Sequence, residues 1–129
     1  MPRFVVQQHF RSAEDFHFDL MLEREDLLVT FACGGPPDRT AELPRLAKQL
    51  QDHRLAYLDY EGEISGGRGW CELHDRGTFE WLEPEGGANL DYASQIRVRL
   101  DGRKARGVWE LEREPASGID YWRLKAVPD

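Results

Sequence analysis

The stretch Phe16-His17-Phe18-Asp19-Leu20-Met21-Leu22-Glu23 alternates, residue by residue, between two sets of side chains. Successive side chains of a β-strand leave opposite faces, so Phe16, Phe18, Leu20 and Leu22 share one face and His17, Asp19, Met21 and Glu23 share the other. The pattern predicts a half-buried strand and sets the frame for its neighbours. Arg3 to Gln8, rich in Phe and Val, reads as the preceding strand, ending at His9, with a polar loop from Phe10 to Asp15 between the two. Leu27 to Cys33 reads as the next strand, closed by the breakers Gly34-Gly35-Pro36-Pro37.

Further along, Leu43, Leu46, Ala47 and Leu50 have helical spacing, which predicts a short helix from Ala41 to Gln51 with Pro44 in its first turn. Tyr57 to Ile64 reads as a strand, followed by the turn Ser65-Gly66-Gly67-Arg68-Gly69. Trp70 to Leu73 and Thr78 to Leu82 read as two short strands joined through Asp75-Arg76-Gly77, and Pro84 to Asn89 as a loop. Gln95 to Leu100 and Ala105 to Glu112 flank Asp101-Gly102, a hairpin signal, and Tyr121 to Val127 is the last strand. About seven or eight short strands with one or two short helices predict a mainly β fold, a compact closed or partly closed β-barrel in which closure removes exposed strand edges. Residues 1–129 read as a single domain, without repeat, low-complexity tract or linker.

Bulk properties narrow the function classes. The chain has 129 residues, 40% of them hydrophobic and 32% charged, enough to enclose one core without disulfides. The two cysteines, Cys33 and Cys71, have no metal-ligand or redox spacing and read as small buried hydrophobes, so a reducing, cytoplasmic setting is expected. No stretch has the length and apolarity of a signal peptide or a membrane span, so no membrane partner is expected. A net charge of -7 opposes nucleic-acid binding overall. A local group of arginines, such as Arg45, Arg54, Arg68 and Arg76, acts over the screening distance of about 8–10 Å and is able to offset it.

Two groups of residues carry the chemistry. His17 and Asp19 leave the same strand face, and His9 comes from the end of the preceding strand, so the three are able to share one cation. This imidazole and carboxylate set suits Mn²⁺, Zn²⁺ or Fe²⁺, with positions left open for water or a phosphate oxygen. The same H-x-D spacing also suits polar residues on the wet face of a strand. The second group is Asp52-His53 with Tyr57, near Arg45 and Arg54, where histidine is suited to act as a general acid. A surface histidine beside a packed tyrosine is the plainer alternative. The glycine-rich turn at 65–69 reads as a hairpin turn, or else as a set of N–H groups for an anion.

The order of these pieces resembles a known family. Arg3-Phe4-Val5-Val6-Gln7-Gln8-His9, His17-Phe18-Asp19 through Leu22-Glu23, Arg45-Leu46-Ala47, Asp52-His53 with Tyr57, and Tyr60-Glu61-Gly62 resemble, in sequence, the 3′-phosphoesterase domain of bacterial DNA ligase D. His74-Asp75-Arg76-Gly77-Thr78-Phe79-Glu80, the Leu100-Asp101-Gly102 to Leu111 hairpin and Trp122 to Lys125 extend the resemblance over nearly the whole chain. The resemblance implies a compact β-barrel that trims DNA or RNA 3′ ends in DNA repair, removing a terminal ribonucleoside and then the 3′-phosphate with a divalent metal, preferably manganese. It implies metal ligands at His9, His17 and Asp19, with His53, Tyr57 and Arg45 contacting phosphate or assisting the leaving group. It also implies 3′ ends as partners and a separate ligase or polymerase working with what reads as a stand-alone, monomeric protein.

Departures from the family pattern bear on activity. Met21 stands where the family carries an arginine two residues after the metal-binding aspartate, and Gly35 where it carries a lysine. Losing a charge-assisted donor where negative charge develops costs about 10²- to 10³-fold in rate. A catalytically impaired member acting as a nucleic-acid or protein binding module is therefore the alternative reading, with Arg11, Arg54 or Arg68 as replacement cations. A facial triad of His17, Asp19 and His53 for non-haem iron is a third reading, one that leaves His9 without a role.

Overall fold

The computed structural model describes residues 1–41 and 43–128. Its strands are β1 (Arg3–Ser12), β2 (Asp15–Arg24), β3 (Leu27–Cys33), β4 (Arg45–Gln49), β5 (His53–Arg54), β6 (Gly62–Glu63), β7 (Trp70–Glu83), β8 (Gln95–Gly102), β9 (Arg106–Arg113) and β10 (Tyr121–Ala126). Eight of them run antiparallel in the order β1-β2-β3-β4-β10-β9-β8-β7, and β7 pairs back onto β1 to close a barrel. The two-residue strands β5 and β6 pair with β3 and β7. Helical structure among the described residues is confined to isolated 3₁₀ turns at Leu55–Leu58, Glu85–Gly87 and Leu90–Tyr92. Among the described residues no helix is long and apolar enough to cross a membrane.

The alternation in β2 points Phe18, Leu20 and Leu22 into the barrel, where they join Phe4 and Val6 of β1, Phe31, Trp109 and Trp122 in the main core. The opposite face of the β1–β2 hairpin is also covered. Val5, Met21 and Leu28 pack there with Leu58 of the first 3₁₀ turn to form a second, smaller cluster. Met21 and Asp19 are therefore buried rather than solvated, because the chain from β5 to β6 folds back over this outer face.

The helix expected from Ala41 to Gln51 is instead strand β4, flanked by irregular chain; Glu42 lies outside the described residues. Ala47 is fully buried, whereas Leu43 and Leu46 are exposed, so the apolar spacing does not form one packed face. Backbone pairing to β3 and β10 overrides local propensity. Tyr57 to Ile64, expected as a strand, holds a 3₁₀ turn and the short β6. The loop expected from Phe10 to Asp15 is mostly strand, with Phe10 paired to Phe16.

The two strands expected on either side of Asp75-Arg76-Gly77 are one continuous strand, β7, irregular where it faces Val6 and Gln7. Asp75 is buried, and its carboxylate accepts backbone N–H groups from Arg76 (2.8 Å), Arg103 (2.8 Å), Lys104 (3.1 Å) and Ala105 (2.8 Å). Pairing of β8 with β9 consequently runs on through Asp101 and Arg106, and the turn lies beyond Asp101-Gly102. A Cβ on Gly102 would stand 2.6 Å from the Phe4 ring and 2.8 Å from Asp75 Oδ2, so only glycine admits this approach.

Candidate metal centre

Antiparallel register between β1 and β2 pairs Gln7 with Asp19 and His9 with His17. Residues two apart share a face, so all four side chains leave the barrel on its outer side. Ligating atoms of His9, His17 and Asp19 lie within 4.8 Å of one another. His17 Nε2 is 2.9 Å from Asp19 Oδ1, and His9 Nδ1 is 4.0 Å from Asp19 Oδ2.

The second nitrogen of His9 fixes its proton. Nε2 lies 2.9 Å from the Arg68 carbonyl oxygen, which only accepts, so Nε2 donates and a neutral ring keeps its Nδ1 lone pair toward Asp19. Donating one ring N–H to a carbonyl while presenting the other nitrogen is characteristic of metal-ligating histidine. The turn at 65–69, which links β6 and β7 as a hairpin, brings that carbonyl into place. Gly69 permits it, because a Cβ there would run into the Phe10 carbonyl oxygen and the glycine holds φ +90°.

His17 and Asp19 are close without being aligned. The 2.9 Å contact with the carboxylate, opposed by partial burial, holds the His17 imidazole above its ordinary range. Yet the ring N–H axis misses the oxygen, so His17 Nε2 and Asp19 Oδ1 are both buried without a hydrogen-bond partner, as is Gln7 Oε1 beside them. Angle decides here: this is an electrostatic contact rather than a formed hydrogen bond. A buried orphan costs about 1–3 kcal/mol, and three on one face is a concentration that native proteins avoid without cause. A cation between the two imidazoles and the carboxylate would satisfy the His17 and Asp19 atoms, so the residues present fit a divalent metal.

A cavity of about 70 Å³ opens over this cluster, and His53 and Tyr57 stand on its wall with His9 and Asp19. His53 Nδ1 lies 2.8 Å from the Gln51 carbonyl and so donates to it, leaving Nε2 as the free nitrogen of a neutral ring. The His53 and Tyr57 rings meet edge to face at 5.5 Å. Gln7, which the sequence reading passed over, donates its amide Nε2 to the carbonyls of Tyr57 (2.8 Å) and Tyr60 (2.9 Å) and fastens this segment above the cluster. Its place two residues before His9 is the signal that would have found it. Cys71 also lines the cavity, but burial raises its thiol pKa and keeps it a poor ligand. Burial pushes Cys33 up to about 12.

Arg45 is not brought to this group. It sits on the inward-facing side of β4, two residues from buried Ala47, beside Asp38 at 3.8 Å. Its guanidinium crosses the spot where a side chain on Gly35 would emerge, so Arg45 fills the volume of the expected lysine. Met21 lines the cavity with an apolar side chain in place of the expected arginine. Of the replacement cations, Arg68 lines the cavity, with its guanidinium tied to Ser65 by bonds of 2.7 and 3.3 Å, and Arg54 stands 6.0 Å over the Tyr57 ring. His53 is on the wall, while His9 completes the three-ligand cluster, which leaves the iron triad of His17, Asp19 and His53 without geometric support.

Comparison with known proteins shows the family. The sequence pattern of the DNA ligase D 3′-phosphoesterase domain matches residues 7–113. The multifunctional non-homologous end joining protein LigD of Pseudomonas aeruginosa is 35% identical over 132 aligned positions, covering 98% of this chain. Its namesake in Mycolicibacterium smegmatis is 38% identical over 117 positions and 84% of the chain, and that of Mycobacterium bovis 32% identical over 133 positions and 98%. The chain spans about 15% of the length of the first two and 16% of the third. By the reach of that match and the barrel that carries it, this chain belongs to the DNA ligase D 3′-phosphoesterase domain family.

Proposed function

We propose that this chain is a divalent-metal-dependent 3′-phosphoesterase that acts on DNA or RNA 3′ ends in DNA repair, removing a terminal ribonucleoside or a 3′-phosphate. One observation carries the reading: two imidazoles and a carboxylate converge within 4.8 Å, with buried atoms of His17 and Asp19 lacking hydrogen-bond partners, and His9 and Asp19 of this cluster line a cavity together with His53 and Tyr57. His9, His17 and Asp19 would hold the ion, and Mn²⁺ suits their mixed nitrogen and oxygen donors. A bound divalent ion supplies Lewis acidity toward a phosphoryl oxygen.

The chain's own groups do the remainder. His9 keeps its Nδ1 lone pair available through its bond to Arg68. As water adds to phosphorus and the bond to the ribose oxygen breaks, His53, with Nδ1–H committed to Gln51, would pass a proton from Nε2 to that departing oxygen. The Tyr57 hydroxyl and Arg68 contribute donors on the cavity wall. Because its relatives are multifunctional end-joining proteins many times its length, we assign the domain a place in end joining, beside a ligase or polymerase and in the cytoplasm, working as a monomer.

The test is incubation of the protein with Mn²⁺ and a 3′-phosphate primer. Inorganic phosphate and a 3′-hydroxyl are expected, with both lost in Asp19→Ala. No product with any of several divalent metals, at enzyme in excess over primer, would overturn the proposal. Met21 and Gly35 favour a second reading, a binding module without turnover. Tight retention of a 3′-phosphate duplex with no hydrolysis would select it.

A further inference from the structure

A second cavity of about 210 Å³ adjoins the cluster, and Tyr57 and Ile64 line both. Its other walls include Arg54, Tyr60 and Ser65. The volume falls below the ~300 Å³ typical of drug-sized ligands, and suits one small planar fragment. The Tyr57 and Tyr60 rings stand 5.8 Å apart at 81°, one presenting a face where the other presents an edge. Aromatic walls of this kind take a nucleobase of any sequence by stacking.

The walls are held in advance of any ligand. Gln7 fixes the backbone of both tyrosines from below, and the Tyr60 hydroxyl donates to the Glu63 carbonyl, which sets its ring. Arg54 lies over the Tyr57 ring and, with the Ser65 hydroxyl, offers polar partners at the rim for a base edge or a ribose hydroxyl. A phosphodiester seated over His9, His17 and Asp19 would have its departing nucleoside within reach of this space.

We infer that the cavity bounded by Arg54, Tyr57, Tyr60 and Ile64 is a subsite for the 3′-terminal nucleoside, adjoining the phosphate cavity and sharing Tyr57 and Ile64 with it. The inference rests on the proposed phosphoesterase reading. It predicts a split between substrates: a 3′-ribonucleoside end uses the cavity, and a bare 3′-phosphate does not.

Two measurements test it. In an amide NMR titration with free adenosine, shifts are expected at residues 54, 57, 60, 64 and 65, with affinity roughly ten-fold weaker in Tyr60→Ala. Ala56→Trp, a substitution at an exposed position on the cavity wall, fills the space without removing a packed ring and is expected to weaken adenosine by a similar factor. In primer assays Ala56→Trp should slow ribonucleoside release about ten-fold while 3′-phosphate release stays within about two-fold. Adenosine shifts scattered elsewhere, shifts at residues 54, 60 and 65 produced by inorganic phosphate as strongly as by adenosine, or equal loss of both reactions would overturn the subsite. If the wild type processes neither primer, the phosphoesterase reading fails, and the adenosine titration still decides the cavity by itself.

Discussion

Asp19 and Asp75 are buried to the same degree, each 4% exposed, and the fold treats them in opposite ways. Asp75 accepts four backbone N–H groups, three of them from the tip of the β8–β9 hairpin. Asp19 accepts none: its neighbours are two imidazoles, and one of its oxygens has no partner. Both carboxylates carry the cost of leaving water. Asp75 recovers it within the chain and thereby shapes a turn, whereas Asp19 has only its contacts with the two imidazoles to set against it. A satisfied buried carboxylate marks architecture, and an unsatisfied one beside imidazoles marks a ligand site.

The sharpest way to break this contrast is to delete each carboxylate. Asp75→Ala strands four backbone donors and should lower stability by about 3–5 kcal/mol, read from the urea unfolding midpoint. Next in size is the effect of metal. Mn²⁺ at 100 times its dissociation constant should raise wild-type stability by about 2.7 kcal/mol, and Asp19→Ala should erase that gain. Without metal, Asp19→Ala should stay within about 1 kcal/mol of wild type, since the loss of its contact with His17 is offset by removal of a buried carboxylate that no hydrogen bond satisfies; a loss as large as that of Asp75→Ala would end the distinction.

Gln7→Leu comes third. It deletes two bonds to the Tyr57 and Tyr60 carbonyls and should cost about 1–2 kcal/mol in urea unfolding. Smallest is the Arg3–Glu23 pair on the exposed rim. Arg3 holds the Glu23 carboxyl below its ordinary range, so this stability is full above the unfolded pKa and lost as pH falls through the folded one. Arg3→Ala should flatten the acid limb of the stability profile by under about 1 kcal/mol, because the arginine is half exposed.

What the sequence revealed depended on how local the cause was. The strand character of residues 16–23 and 27–33 is written in alternation and β-branching, and those strands lie where they were expected. The β4 strand was hidden because its reason for existing is pairing with β3 and β10, strands whose approach no local window contains. Asp75-Arg76-Gly77 looks like a turn and is not one, since its aspartate serves a hairpin tip nearly thirty residues away. On the outer face, the shared side of His17 and Asp19 was legible from period two, with His9 added from the end of the strand before, while the burial of Asp19 and Met21 was not, because the covering segment arrives from beyond β5. Arg45 was grouped with His53 and Tyr57 through a likeness of motifs, and a motif does not say which side of the sheet a residue faces.

The position of β1 in the barrel has a bearing on how the centre behaves over time. This strand is hydrogen-bonded along one edge to β2 and along the other to β7, the seam that closes the cylinder. His9 cannot drift from His17 unless the β1–β2 ladder parts, and the β7 seam holds β1 from its other edge, so amide protons at residues 7–9 should exchange with solvent only when the whole barrel opens. His53 and Tyr57 ride on a short connecting segment that Gln7 and the buried Leu58 fasten to the outer face of the same strands. The cluster and the wall above it therefore share one support and should lose their exchange protection together.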